Sequence, residues 1–192
     1  MSRVKLYKLT FEIQNVAKKI LITGGLGLIG SKLSEFYAKS GEEVTIISRS
    51  TNNIKNIESF KDKVNLKVKD IKDISTEDVK DQDLIFHFAS TVDNYNIFDK
   101  PHLDADTNCH GTISLLERCK EVNPNVRIVY PSTFFVNGAL KKLPATPDSP
   151  CEPLGIYPAT KLAAEHFCKI YNRVFGMNIV IARFTNVFGE KE

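Results

Sequence analysis

Tyr157 and Lys161 stand four residues apart in the run YPATK, so on a helix both side chains leave the same face. A free phenol titrates near about 10 and is a poor base at neutral pH, but an ammonium and a cationic nicotinamide beside it would favour the phenolate. That would make Tyr157 a proton shuttle to a hydroxyl or carbonyl oxygen. A Tyr–Lys pair at this spacing is also common on exposed helices, so its meaning depends on what else reaches it. The run VYPST at 129–133 offers Ser132 and Thr133 at the end of a strand-like segment, hydroxyls suited to hydrogen-bond the same substrate oxygen.

Residues 23–30 read TGGLGLIG, directly after the apolar run Lys19-Ile20-Leu21-Ile22. Glycine loses the most entropy on folding, so four in one turn imply that something approaches the backbone too closely for side chains. Gly24 and Gly25 permit the tight turn, Gly27 leaves room for a pyrophosphate, and Gly30 lets the next helix pack on the sheet. Leu28 and Ile29 open that helix, where free N–H groups and the positive dipole end attract phosphate. Ser48 and Arg49 stand at the end of the second strand-like run. A carboxylate there would hold the ribose hydroxyls of NAD, whereas an arginine pairs with the 2′-phosphate of NADP. The chain leans to NADP, with NAD as the alternative cofactor and a plain solvated arginine as the bland reading of Arg49.

These groups need a scaffold that brings them to one edge. Strand-like runs occur at 19–23, 43–48, 64–68, 83–88, 126–130 and 178–183, and helical patterns at 28–40, near 75–81, at 103–120 and at 157–175. Such alternation implies right-handed βαβ crossovers and a parallel sheet covered on both faces. The expected fold is a doubly wound α/β Rossmann sheet of six strands in the order 3-2-1-4-5-6. Residues 1–18 read as an N-terminal extension, with 19–192 as the dinucleotide-binding domain. The proline-bearing segment 137–156 is long for an irregular loop, which suggests a functional one.

Composition narrows the classes. At 192 residues, with 42% hydrophobic and 26% charged residues and a formal charge of +3 spread along the chain, one ordinary globular domain is expected. Nothing favours nucleic acid or a membrane surface as partner. Cys109, Cys119, Cys151 and Cys168 lack CxxC spacing, so free thiols in a cytoplasmic protein are expected and no metal site.

The runs ILITGGLGLIGSKL, KDIKD, DLIFHFAS, TNCHGT, YPSTFFVNG, YPATKLAAE and ARFTNVFG, in that order over 19–189, resemble the extended short-chain dehydrogenase/reductases. This is the NAD-dependent epimerase/dehydratase family that acts on nucleotide sugars. The resemblance implies Tyr157 and Lys161 as the catalytic pair, with Thr133 as the hydroxyl that assists them. It implies Asp70 and Ile71 at the adenine, Phe88 and Ala89 along the cofactor, and Thr107 near the nicotinamide half. Asn186 would help hold the sugar nucleotide. His87 matches a structural strand-end position. A homodimer through the helices at 103–120 and 157–175 is a further implication.

The sequence departs from the family pattern at three places. Where the 4,6-dehydratases carry an Asp-Glu pair, Phe134 and Phe135 cannot transfer protons, so epimerase, reductase or dehydrogenase chemistry is expected. Asn137 stands where the family has a tyrosine. Family members also continue into a small domain that closes over the sugar nucleotide, whereas this sequence ends at Glu192. The expectation is dinucleotide binding with little or no turnover by the chain alone. The alternative is a non-catalytic dinucleotide-binding sensor or scaffold, which would have no use for the Tyr–Lys–Thr set.

Overall fold

The computed structural model describes residues 18–91, 101–140 and 142–189; most of the expected N-terminal extension lies outside these. Six parallel strands form one sheet in the order β3-β2-β1-β4-β5-β6, the order expected from the sequence. They are β1 (Lys19–Thr23), β2 (Glu43–Ser48), β3 (Val64–Val68), β4 (Leu84–His87), β5 (Arg127–Thr133) and β6 (Ile179–Phe184). The helices are α1 (Leu28–Lys39), α2 (Thr76–Val79), α3 (Pro101–Asp104), α4 (Gly111–Val122) and α5 (Ile156–Phe175).

Alternation within the strands feeds two cores. Ile20, Ile22, Val44 and Ile46 pack with Ala38 of α1 and with Ile57 and Phe60. Leu21, Ile47, Ile85, Ile128 and Tyr130 pack on the opposite face with Leu115 and Leu116 of α4 and Ala164 and Cys168 of α5. Burying each large aliphatic side chain contributes roughly 1.5–3 kcal/mol, so both faces hold the sheet. Strand β1 lies between β2 and β4, and the chain crosses there from one half of the sheet to the other. That switch opens a crevice at the carboxyl ends of the strands.

Several elements differ in detail from the sequence reading. Residues 54–63, which carried no expectation, form 3₁₀ turns that bury Ile57 and Phe60. The helix expected near 75–81 is the single turn α2, begun by a reciprocal Ser75–Asp78 capping box. Strand β5 runs to Thr133, three residues beyond the expected end. The helix expected at 103–120 begins at Pro101 and passes through a π-helical stretch, Ala105–His110, before α4. Widened turns of this kind are rare and often lie at functional sites.

Candidate active site

The glycine turn is built by contacts that exclude side chains. Gly24 has φ of +69°, and a Cβ on it would lie 2.6 Å from the Phe88 carbonyl carbon. A Cβ on Gly30 would lie 2.5 Å from the Gly24 carbonyl oxygen, so the first turn of α1 sits directly on the loop. Gly27 differs: a Cβ there would meet only the Gly24 oxygen, at 3.3 Å, and the residue lines an open groove of about 1450 Å³. Gly27 is also the N-cap of α1, with no side-chain cap and no acidic residue in the first turn. The bare backbone, uncapped amides and positive helix end together fit a pyrophosphate.

The same groove is lined by the catalytic, cofactor and substrate candidates named from the sequence, though not by Gly25 of the turn. Leu28, Ile29 and Gly30 form its floor at the α1 start, and Ser48 and Arg49 lie at the end of β2. The Ser48 hydroxyl donates to the Ser50 carbonyl at 2.9 Å, which leaves Arg49 as the exposed cation of that corner. Asp70 and Ile71 follow β3. The Asp70 carboxylate accepts from the Lys72 amide at 2.9 Å, and neighbouring Lys69 is paired with Asp78 at 2.7 Å. Phe88 and Ala89 follow β4, and Thr107 enters from the π turn. Ser132 and Thr133 close β5, Tyr157 and Lys161 begin α5, and Asn186 follows β6.

Thr133 Oγ1 accepts from the Phe135 amide at 3.3 Å, so its proton can be donated to the groove. Phe134 and Phe135 stack with centroids 4.2 Å apart and also face the groove. Lys161 is only 2% exposed, and its Nζ lies 4.2 Å from the centroid of the Tyr130 ring. Burial pushes the Lys161 ammonium down to about 7, partly opposed by Cys168, Glu165 and Cys109.

The Tyr157 phenol is raised from its ordinary value. Burial is the main cause. The Ser90 side chain works against it, and the Asp104 carboxylate adds to it. The Lys161 ammonium lies over the Tyr130 ring.

Three residues that sequence reasoning missed bind this centre together. Ser90 Oγ donates to Asn108 Oδ1 at 2.8 Å, and Asn108 Nδ2 donates to Thr160 Oγ1 at 3.0 Å. Thr160 in turn donates to the Tyr157 carbonyl at 2.8 Å. The available signal was the asparagine beside Thr107 in TNCHGT. Below the site, Arg183 makes two bonds to the buried Glu165 carboxylate, at 2.8 and 2.7 Å. Burial opposes the charge on Glu165, but Arg183 outweighs it and holds the carboxyl below its usual range. The loop 137–156 is tied at Asn137, whose Nδ2 donates to the carbonyls of Pro150 at 2.9 Å and Ser149 at 3.3 Å. Cys109, Cys119, Cys151 and Cys168 are free thiols.

A doubly wound sheet with a glycine turn at its switch point and a Tyr-x-x-x-Lys helix on the same groove defines a Rossmann-type dinucleotide-binding class. The chain belongs to the NAD dependent epimerase/dehydratase family, whose sequence profile matches residues 20–192. A Methanocaldococcus jannaschii protein provisionally named a UDP-glucose 4-epimerase is 32% identical over 175 residues, covering 90% of this chain and 57% of that protein. The UDP-N-acetylglucosamine 4-epimerase of Methanobrevibacter ruminantium, solved with UDP-N-acetylmuramic acid, superposes with a TM-score of 0.84 at 26% identity, over 91% of this chain and 57% of that one. The UDP-glucuronic acid 4-epimerase of Bacillus cereus, solved with UDP-glucuronic acid and NAD, gives a TM-score of 0.83 at 29% identity, over 91% and 58%. The chain thus spans somewhat under three fifths of the length of these relatives. Among the described residues, no helix is long and apolar enough to cross a membrane.

Proposed function

We propose that this chain binds a nicotinamide dinucleotide and supports epimerisation or reduction at a carbinol or keto carbon of a nucleotide sugar. The observation that carries the reading is convergence: the glycine turn, Thr133, Tyr157 and Lys161 line one groove. A module that only sensed dinucleotide would need the first of these and not the others.

The coenzyme, when bound, supplies hydride acceptance and donation. The amides at 27–30 hold its diphosphate, Asp70 and Ile71 its adenine, and Phe88, Ala89 and Thr107 the walls further along. Arg49, with no carboxylate beside it at 48–50, favours NADP over NAD at the ribose. Lys161 anchors the nicotinamide ribose. Tyr157 gives a proton to the sugar oxygen, or takes one back, while Thr133 donates a hydrogen bond to the same atom. Ser132 and Asn186 hold the sugar nucleotide. Phe134 and Phe135 hold no transferable proton, so water elimination has no acid or base at those positions.

A homodimer and a cytoplasmic setting belong to the same proposal. Transfer by the 192-residue chain should be slow, because an open groove admits water. The test is coenzyme reduction on adding a nucleotide sugar, followed at 340 nm in single turnover. Tyr157→Phe should slow transfer by at least about 100-fold while leaving coenzyme affinity within about threefold. Transfer that is unaffected by Tyr157→Phe would refute the enzymatic reading.

A further inference from the structure

The last residue of β4, His87, is 1% exposed and takes no part in the chemistry above, yet both of its ring nitrogens are engaged. Nδ1 lies 2.8 Å from Thr23 Oγ1 and Nε2 lies 3.1 Å from Thr112 Oγ1. The two hydroxyls decide the tautomer. Thr23 Oγ1 accepts from the Ala89 amide at 3.1 Å and keeps its own proton, which is available to Nδ1. Thr112 Oγ1 donates to the Asn108 carbonyl at 2.6 Å, so it must accept from Nε2. One arrangement satisfies every contact: Nε2–H with a lone pair on Nδ1.

The resulting chain of bonds runs in one direction, from the Ala89 amide through Thr23, His87 and Thr112 to the Asn108 carbonyl. Its two ends are the neighbours of the groove's polar clamp. Ala89 precedes Ser90, whose side chain acts to lower the Tyr157 phenol. Asn108 sits in the π turn and holds both Ser90 and Thr160. The ring therefore ties the ends of two neighbouring strands, β1 and β4, to the start of α4.

We propose that His87, locked as its Nε2–H tautomer between two threonines, is a positioning residue that sets Ser90 and Asn108 against Tyr157. The inference rests on the reading of Tyr157 as the acid–base group, but its test does not require turnover. Burial, and next the neighbouring Lys161, push the imidazolium down to about 3, so the ring stays neutral across the working range and serves as a fixed spacer. Besides Lys161, the Tyr130 ring faces it, with centroids 5.9 Å apart.

The experiment has two arms on the whole chain. In the first, nitrogen-15 spectra of the four histidines, with His87→Gln to assign the resonance, should show an Nε2–H tautomer for His87 that persists from pH 8 to pH 5. A ring that protonates near pH 6, or an Nδ1–H tautomer, overturns the proposal. In the second, tyrosine labelled at the phenol carbon and assigned with Tyr157→Phe reports ionisation of that phenol. Ser90→Ala and His87→Phe should each raise its midpoint by about one pH unit, tenfold in the ionisation constant. The double variant should shift it no further. Additive shifts, or an unmoved phenol in a folded His87→Phe protein, contradict a role exerted through Ser90. Transfer unaffected by Tyr157→Phe with normal spectra would instead count against the enzymatic reading and leave this one standing.

Discussion

Lys161→Met should stabilise the chain while removing the proposed chemistry. The Lys161 ammonium is fully enclosed, and its fall from the ordinary 10.5 to about 7 corresponds to about 5 kcal/mol against the charged form. Relaxation, and the loss of the contact with the Tyr130 ring, reduce what a substitution recovers. Methionine matches the stem's volume without a charge, and replacing a buried ion with an apolar side chain commonly gains about 1–4 kcal/mol. We expect a gain of about 1–3 kcal/mol at pH 6, or an unfolding midpoint roughly 2–10 °C higher for a domain of this size. The sign of the pH dependence follows from the lowered pKa. Below 7 the lysine is charged in both states and the burial penalty is complete. Between 7 and 10.5 the unfolded lysine keeps a proton that the folded one has shed, so wild-type stability rises. The advantage of Lys161→Met should therefore shrink across that window. Calorimetry of both proteins at pH 6, 8 and 10 measures it. A variant less stable than wild type at pH 6, or an advantage that grows with pH, would refute the reasoning.

Four other substitutions probe separate parts of the account. Gly30→Ala should cost about 2–4 kcal/mol and abolish coenzyme binding, because its Cβ would lie 2.5 Å from the Gly24 oxygen; denaturant melts and fluorescence titration report the two losses. Tyr130→Phe removes a buried hydroxyl that has no partner among the described residues and keeps the ring beside Lys161, so urea unfolding should show unchanged stability or a gain of up to about 1 kcal/mol. Asp78→Ala frees Lys67 and Lys69 and removes the α2 cap, and should cost about 2–4 kcal/mol at pH 7. Its burial opposes the charge, but the two lysines hold the carboxyl well below the usual range, so this contribution is present above about pH 4 and fades as pH falls further. Arg49→Ala should lower the ratio of NADPH to NADH affinity by at least about tenfold, measured by titrating each coenzyme.

The strand order was readable because each apolar run is short and β-branched and most are separated by helical patterns, which leaves a doubly wound sheet as the natural solution. The 3₁₀ stretch at 54–63 was not, because its buried Ile57 and Phe60 are embedded among lysines and acids that read as a solvated loop. The π turn carries no compositional mark: Ala105–His110 could equally continue an ordinary helix, and only the packing of Asn108 between Ser90 and Thr160 shows why it widens. The groove was legible where single residues carry their own meaning, as with the glycines and the YPATK run. It was not legible where the function lies in partnerships across 18 to 52 residues of chain, as for Asn108. Lysine is expected at the surface by default, so the burial of Lys161 required the fold.

The most direct test of the central claim is a crystal structure of the chain with NADPH or NADH. The account predicts the diphosphate on the amides of 27–30 and the nicotinamide ring within van der Waals reach of the Tyr157 phenol. A diphosphate bound elsewhere, or a ring lying away from that phenol, would contradict it.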